Sequence, residues 1–221
     1  MSAIIETPIL ESKEIVKEKH IVLSNISWST YESLLNDLAD KASARLTYDQ
    51  GKLEIMVPLP EHEWINRNTA LIVDVIAEEL NINIQRLGST TFKSQALTRG
   101  FEPDSCFYIQ HQIAIQGKKH IDLAIDPPPD LVVEIDITSS STDKLPFYHS
   151  LGVSEIWLHN GQELTIYKIE QNNYQIANSS VAFPLLTSQE IGNFINQSRN
   201  LPSLDFLKSL RAFLRDKINT K

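Results

Sequence analysis

Two carboxylates interrupt a stretch of chain that otherwise has the composition of a buried β-strand. Residues 131–137 read Leu-Val-Val-Glu-Ile-Asp-Ile, so Glu134 and Asp136 are the polar side chains in the run. Such β-branched runs are typical of central strands that are buried on both faces. Glu134 and Asp136 are two residues apart and project from the same face. A buried carboxylate is costly without a cation or a donor, so the pair indicates a cation-binding or catalytic site, unless this face is exposed or Lys and Arg neighbours satisfy it.

A second acid stands at the start of another predicted strand. Asp104 follows Pro103 and leads into Ser-Cys-Phe-Tyr-Ile at residues 105–109. If this strand neighbours that of residues 131–137, the carboxylates of Asp104 and Glu134 converge on one point. Divalent ions such as Mg²⁺ are held by one or two carboxylates together with water and substrate phosphate. On its own, Asp104 would be interpreted as a turn residue beside proline.

A lysine follows the two acids along the chain. Lys144 opens a predicted helix over residues 143–151, and Tyr148, four residues later, lies on the same helix face. A cation beside a carboxylate pair can stabilise charge on a phosphoryl group or position the attacking water. An ordinary solvated helix lysine is the alternative interpretation of Lys144 taken alone.

Hydrophobic periodicity and turn residues predict the elements that position these side chains. No internal repeat or clear interdomain linker is visible, which favours one domain. Further helices are expected over residues 29–38, 61–80 and 203–218. Hairpins are expected over residues 45–57 and 155–169, with additional strands over 82–87 and 90–94.

Composition excludes several classes of protein. The 221 residues are 42% hydrophobic and 22% charged, as in ordinary globular proteins. The net charge of −8 argues against a protein that coats nucleic acid, although a nuclease with acidic metal ligands and a local basic patch is compatible with it. No run approaches the ~18 apolar residues of a membrane-spanning helix. The lone Cys106 and the absence of a signal-peptide pattern in residues 1–10 lead us to expect a cytoplasmic protein.

Taken together, these residues resemble the Uma2 family (DUF820), of cyanobacterial type. The resemblance covers roughly residues 28–185 and is specific as a set. It implies an α/β (α+β) fold of the restriction-endonuclease-like, PD-(D/E)xK type, with a mixed central β-sheet flanked by helices and added β-hairpins. The residues that carry it are Pro129-Asp130-Leu131-Val132-Val133-Glu134, Ser139-Ser140-Ser141, Lys144, Tyr148, Gly152-Val153 and Glu155-Ile156-Trp157, with Glu61-His62 and Pro103-Asp104 upstream.

The resemblance also implies a metal site. Asp104 and Glu134 would be the two acids that hold Mg²⁺ or Mn²⁺, since Asp130 is too close to Glu134 on one strand to be its partner. Asp136 stands where the family motif has lysine. Either Lys144 supplies that cation from the neighbouring helix, or the site is degenerate.

Further roles follow from the same resemblance. Glu61 or Glu63, at the start of the first core helix, would assist the metal. Lys93, Tyr148 and His62 are assigned to substrate binding. Lys93 is also a weaker substitute for the displaced lysine. Packing is the alternative for Tyr148, and an exposed position at the helix start is the alternative for His62.

The function that we expect is Mg²⁺-dependent endonucleolytic hydrolysis of DNA. The alternative is a non-catalytic binding or assembly module with an eroded site, which Asp136 and the negative net charge favour. A homodimer is expected from base rates and from the cleavage of two strands. We expect a lead-in over residues 1–25, the nuclease-like domain over residues 26–185, and a C-terminal helical extension over residues 186–221 packed on the same domain.

Overall fold

A computed structural model describes residues 19–38, 44–88, 90–137 and 144–220. Residues 1–18 of the predicted lead-in and Ser139-Ser140-Ser141 lie outside the described residues. The helices within these ranges are α1 (Trp28–Leu38), α2 (Pro60–Glu79), α3 (Gln112–Ile115), α4 (Leu145–Leu151), α5 (Ser188–Asn200) and α6 (Ser203–Asn219). The strands are β1 (Lys19–Leu23), β2 (Arg45–Asp49), β3 (Lys52–Val57), β4 (Gln85–Arg86), β5 (Phe92–Ser94), β6 (Arg99–Phe101), β7 (Ser105–Tyr108), β8 (Leu131–Ile135), β9 (Glu155–His159), β10 (Leu164–Glu170) and β11 (Asn173–Ala177).

The larger sheet has six strands in the order β11-β10-β9-β8-β7-β4. Strands β8 and β9 run parallel, while β7 and β8 are antiparallel, so the sheet is mixed as expected. Every residue of β8 is buried, which agrees with its β-branched composition.

The two faces of β8 have different neighbours. Leu131, Val133 and Ile135 belong to a core cluster that includes residues of α2, α5 and α6. Val132 lies in a second cluster, together with Tyr148 of α4. Because side chains alternate along a strand, Glu134 shares the face of Val132 and is directed toward α4.

The smaller sheet is antiparallel, in the order β1-β3-β2-β6-β5, and α1 packs on it through a separate aromatic cluster. Strand β6 ends at Phe101 and β7 begins at Ser105, so the chain passes from one sheet to the other through Glu102, Pro103 and Asp104. Asp104 therefore lies where the two sheets meet.

Several element boundaries differ from the sequence prediction. Helix α1 begins at Trp28, one residue before the predicted start at residue 29, and the Ser27 hydroxyl accepts the Thr30 N–H at 3.2 Å. The strand expected over residues 82–87 is limited to Gln85–Arg86. Strand β1 pairs with β3, within residues that were assigned to the lead-in.

Helices α5 and α6 both contact α2. The division of the chain into residues 1–25, 26–185 and 186–221 stays a prediction. None of the helices in the described part of the chain is both long and apolar enough to cross a membrane.

Candidate active site

The structure brings Asp104 and Glu134 together across the β7–β8 pair. Ser105 is the partner of Val133 in this antiparallel ladder, so one step further along it Asp104 stands opposite Glu134. Residues directly opposite in an antiparallel pair have their Cβ atoms about 5 Å apart on one face. Asp104 Oδ2 also accepts the Ile135 N–H at 2.7 Å. The two carboxyl side chains, 1% and 3% exposed, thus form one buried acidic pair.

Two basic side chains surround the Asp104 carboxylate. Arg45 Nη1 of β2 lies 3.0 Å from Oδ1, and His62 Nε2 of α2 lies 3.1 Å from Oδ2. Burial alone would raise the pKa of Asp104, but the His62 imidazole and the Arg45 and Lys144 charges outweigh it and hold that pKa below its usual value. Asp104 is therefore the member of the pair whose charged form its neighbours favour.

The backbone around Asp104 is held by the same elements. Asn66 of α2 donates from Nδ2 to the Asp104 carbonyl at 2.9 Å and accepts the Ser105 hydroxyl at 2.8 Å. Arg45 also donates to the Pro103 carbonyl at 3.1 Å. These bonds fix the segment that connects the two sheets.

Glu134 has a different environment. The Tyr148 hydroxyl donates to Glu134 Oε1, and Lys144 Nζ lies 3.6 Å from Oε2. Burial raises the pKa of Glu134 to about 7, and the nearby Asp104 and Asp136 charges act in the same direction, while Lys144 and Tyr148 oppose them. Glu134 is therefore the acid whose charge is costly, as expected where negative charges are crowded.

Lys144 precedes α4, and its side chain is only 15% exposed. Burial would lower the pKa of Lys144, but Glu134, Glu54, Asp104 and Asp136 together raise it above the usual value, so the ammonium stays charged. Sequence analysis offered Lys144 as the replacement for the motif lysine, and its ammonium does face the Glu134 carboxylate.

Helix α4 is fixed at its end and on its side. Gly152 ends it in the left-handed conformation, with φ of 81°, directly after the helix predicted over residues 143–151. Arg99 of β6 donates to the Ser150 hydroxyl at 2.7 Å and lies 5.6 Å from the centre of the Phe147 ring. These contacts hold the helix that carries Lys144 and Tyr148.

Asp136 is buried one residue beyond the end of β8. Its backbone N–H donates to the His159 carbonyl at 2.8 Å, which continues the ladder with β9. Its charge raises the pKa of both Glu134 and Lys144. Asp136 therefore contributes to the negative potential around the buried acids.

The first turn of α2 is oriented differently from the prediction. Glu61 is a surface residue whose carboxylate pairs with Arg199 of α5 at 2.8 Å, so the structure does not bring it to the acidic pair. His62 is fully buried against Asp104, which leaves it no surface for the predicted substrate contact. Glu63, the alternative to Glu61, lies 3.6 Å from Arg45 and lines the groove, so His62 and Glu63 are the residues of this turn that face the site.

Tyr148 and Lys93, the other residues assigned to substrate binding, lie in different environments. Tyr148 is buried and binds Glu134 instead of facing solvent, so packing and positioning describe it better. Lys93 is exposed and pairs with Glu32 at 2.9 Å. It lines a groove of about 1190 Å³ to which Asp104 also contributes.

Arg45 and Asn66 are the site residues that sequence analysis missed. Both lie far from Asp104 in the chain, and each occupies a position that is ordinary for its element, one in a hairpin strand and one in a helix. The signal for Arg45 was weak: an arginine in a predicted strand, far from Asp104 in the sequence.

The acidic pair has the chemistry of a site for a hard divalent cation. Within the described ranges, no group of three or more His, Cys, Asp or Glu side chains is arranged to hold a metal ion. Mg²⁺, however, commonly takes one or two carboxylates and completes its shell with water and substrate phosphate. Burial, together with the Asp104 and Asp136 charges, raises the pKa of Glu134, and a cation beside its carboxylate would favour the charged form. Asp104 and Glu134 therefore fit a two-carboxylate site.

Replacement of Arg45 by methionine is expected to lower the free energy of unfolding by about 3 kcal/mol, because it removes a partner of a buried carboxylate. Arg67→Met is the matched control, since Arg67 is 78% exposed and pairs with Glu63 on the surface. The control is expected to cost less than about 1 kcal/mol. Urea unfolding followed by tryptophan fluorescence measures both variants, and equal losses would show that Arg45 does not support Asp104.

Comparison with known proteins now places the chain in a family. The family model Uma2, described as "Putative restriction endonuclease", matches residues 28–196. The chain belongs to the Uma2 family. The match begins at α1 and ends within α5, so it includes β7, β8 and α4, the elements that build the acidic pair.

A solved structure supports the fold of this Uma2 protein. The crystal structure of "a putative nuclease belonging to DUF820" from Anabaena variabilis ATCC 29413 is similar to it, with a TM-score of 0.56 and 16% sequence identity. The similarity covers 77% of this chain and 99% of that chain. The restriction-endonuclease-like fold and the resemblance to Uma2 are thus confirmed. No curated protein matches the chain.

Proposed function

We propose that this Uma2 protein is an endonuclease that hydrolyses phosphodiester bonds of DNA with Mg²⁺ or Mn²⁺. The observation that carries the proposal is the buried pair of Asp104 and Glu134, with the Lys144 ammonium 3.6 Å from Glu134. The description of the family as a restriction endonuclease agrees with it. The acidic pair also lies beside a groove to which Asp104 contributes.

In this proposal, the metal ion is held by Asp104 and Glu134. When bound, Mg²⁺ supplies a Lewis acid that offsets the negative charge of the scissile phosphate. Arg45 and His62 keep the Asp104 carboxylate ionised and oriented. Tyr148 fixes one Glu134 oxygen through its hydrogen bond.

Lys144 provides the fixed positive charge. Water attacks the phosphorus, one P–O ester bond breaks, and negative charge builds on the phosphoryl oxygens in the transition state. A preorganised ammonium in a site with little water stabilises such charge much more than it would in bulk solvent. The position of Lys144 over Glu134 favours it over the exposed Lys93 as the substitute for the lysine that Asp136 displaces.

A non-catalytic binding or assembly module remains the second candidate. The net charge of −8 and Asp136 at the lysine position of the motif favour it. The cluster of Asp104, Glu134 and Lys144 argues against this candidate, because both acids and the lysine have buried, well-defined partners.

Cleavage of supercoiled plasmid distinguishes the two candidates. We expect the purified protein to nick and linearise plasmid when Mg²⁺ or Mn²⁺ is added, and to stop when EDTA removes the ion. Calorimetric titration with Mn²⁺ is expected to show binding to the wild type that Asp104→Asn loses. Metal binding and cleavage both absent from the wild type would leave the binding module as the better description. The expected homodimer stays a prediction, which light scattering measures directly.

A further inference from the structure

The segment between β7 and β8, residues 109–130, is a long excursion fixed at its base. Asp130 is buried, and its Oδ2 accepts the Ile109 N–H at 2.6 Å and the His111 N–H at 3.0 Å. Its Oδ1 lies 2.6 Å from the His111 ring nitrogen Nδ1. One buried carboxylate thus ties the departing strand end to the point where the chain enters β8.

A second buried acid fixes the far part of the excursion. Asp126 accepts the Asp122 N–H at 3.0 Å and pairs with the Lys118 ammonium. The Tyr108 hydroxyl donates to the Pro127 carbonyl at 3.0 Å. These bonds give the excursion a defined shape, although little of it is regular secondary structure.

This shape brings two exposed basic side chains to the groove that Asp104 lines. Lys119 and His120 are exposed and line the same groove as Asp104 and Arg45. The neighbouring Lys118 is held by Asp126 instead. The excursion therefore adds a lysine and a histidine to the groove from a part of the chain that the site otherwise does not use.

The lining of the groove has a charge suited to a polyanion. Four Lys or Arg and three Asp or Glu are among the described residues that line it, in a chain with a net charge of −8. All three acids are engaged within the protein. Glu102 accepts from Thr91 at 2.5 Å and from the Leu46 N–H at 3.3 Å, while Asp104 pairs with Arg45 and Glu63 with Arg67. Of the four bases, Arg45, Arg67 and Lys93 pair with Asp104, Glu63 and Glu32, whereas Lys119 is exposed at the groove.

We infer that the excursion of residues 109–130 is a DNA-docking arm, on which Lys119 and His120 contact the phosphate backbone next to the bond that is cut. This inference rests on the proposed function for the identity of the polyanion. Contacts to phosphate fix the position of the DNA without reading its sequence. The arm would accordingly set affinity and salt dependence, while the chemistry stays with Asp104, Glu134 and Lys144.

Binding measured without cleavage tests the arm. Fluorescence anisotropy of a labelled DNA single strand and of the matching duplex, in EDTA and over a range of NaCl concentrations, gives Kd and its salt slope. Lys119→Ala is expected to weaken binding roughly fivefold at moderate salt and to lower the slope of log K against log salt by about 1. Lys208→Ala is the matched control, because it removes the same charge from an exposed position on α6.

The outcomes separate the arm from the proposed function. The inference of a docking arm is wrong if Lys119→Ala and Lys208→Ala change the affinity and the salt slope equally. It is also wrong if the wild type binds neither form of DNA. If the wild type cleaves plasmid and Lys119→Ala binds DNA as tightly as the wild type, the docking role of the arm is refuted and the proposed nuclease activity is supported. If DNA binding depends on Lys119 but the wild type does not cleave DNA, the docking arm is supported and the proposed nuclease activity is overturned. The preferred form, single strand or duplex, follows from the two Kd values.

Discussion

Replacement of Glu134 by glutamine is expected to lower the rate of plasmid cleavage on the order of 1000-fold. Glutamine keeps the shape of the side chain and an oxygen that can accept the Tyr148 hydroxyl, so the main change is the loss of negative charge. Without that charge the acidic pair cannot hold a divalent ion as tightly, and Lys144 loses its carboxylate partner. Quantified nicking of supercoiled plasmid measures the loss.

The same variant has an expected signature in stability that does not depend on activity. In the wild type, burial raises the Glu134 pKa to about 7, above that of an unfolded glutamate. The folded protein therefore binds more protons than the unfolded chain between about pH 4.5 and 7, and loses stability as the pH rises through this window. In EDTA, the wild type should lose on the order of 2 kcal/mol between pH 5 and 8 relative to Glu134→Gln. Urea unfolding at several pH values measures this difference.

Glu61→Gln serves as the control for both measurements. It makes the same chemical change in an acid that the family resemblance assigned to the metal but that pairs with Arg199 on the surface. We expect its cleavage rate to stay within about threefold of the wild type, since an exposed ion pair contributes little. If Glu61→Gln lowers the cleavage rate as much as Glu134→Gln does, Glu61 belongs to the active site after all. If Glu134→Gln keeps full activity, Glu134 does not belong to it.

The sequence was most informative where one local pattern decides the structure. The β-branched run around Glu134 predicts a strand buried on both faces, and spacing alone puts Glu134 and Asp136 on one face of it. Gly152 predicts the end of α4 because only a residue that tolerates positive φ suits that position. The pairing of β7 with β8 was needed to bring Asp104 to Glu134, and it was assumed at that stage, since strand order leaves little local signal.

The contacts around Asp104 could not be predicted in the same way. Glu61, His62 and Glu63 are three polar residues in one helical turn, and only the packing of α2 on the sheet decides which of them faces inward. That packing buries His62, which the family resemblance had assigned to substrate binding, with an exposed position at the helix start as the alternative. Arg45 reaches Asp104 from the other sheet, so its role depends on how the two sheets are joined.

Replacement of Lys144 by methionine is expected to lower cleavage roughly 100-fold to 1000-fold. Methionine is unbranched, as lysine is, and fills much of the space of the lysine side chain. The variant therefore removes mainly the buried ammonium that faces Glu134. Two effects follow from this loss. Charge on the phosphoryl oxygens is no longer stabilised, and the pKa of Glu134 rises further, because Lys144 is the largest of the influences that lower it. At neutral pH more of Glu134 is then protonated.

Lys93→Met is the comparison that decides which lysine serves the site. Lys93 lines the groove but is exposed and paired with Glu32, so its loss is expected to change the rate less than about threefold. A large loss in Lys93→Met with a small one in Lys144→Met would place the functional cation on β5 instead. The pH profile adds a second readout. Raising the pH ionises Glu134 again, so Lys144→Met should recover part of its rate toward alkaline pH, whereas a variant that only disturbs folding would lose activity in equal proportion at every pH.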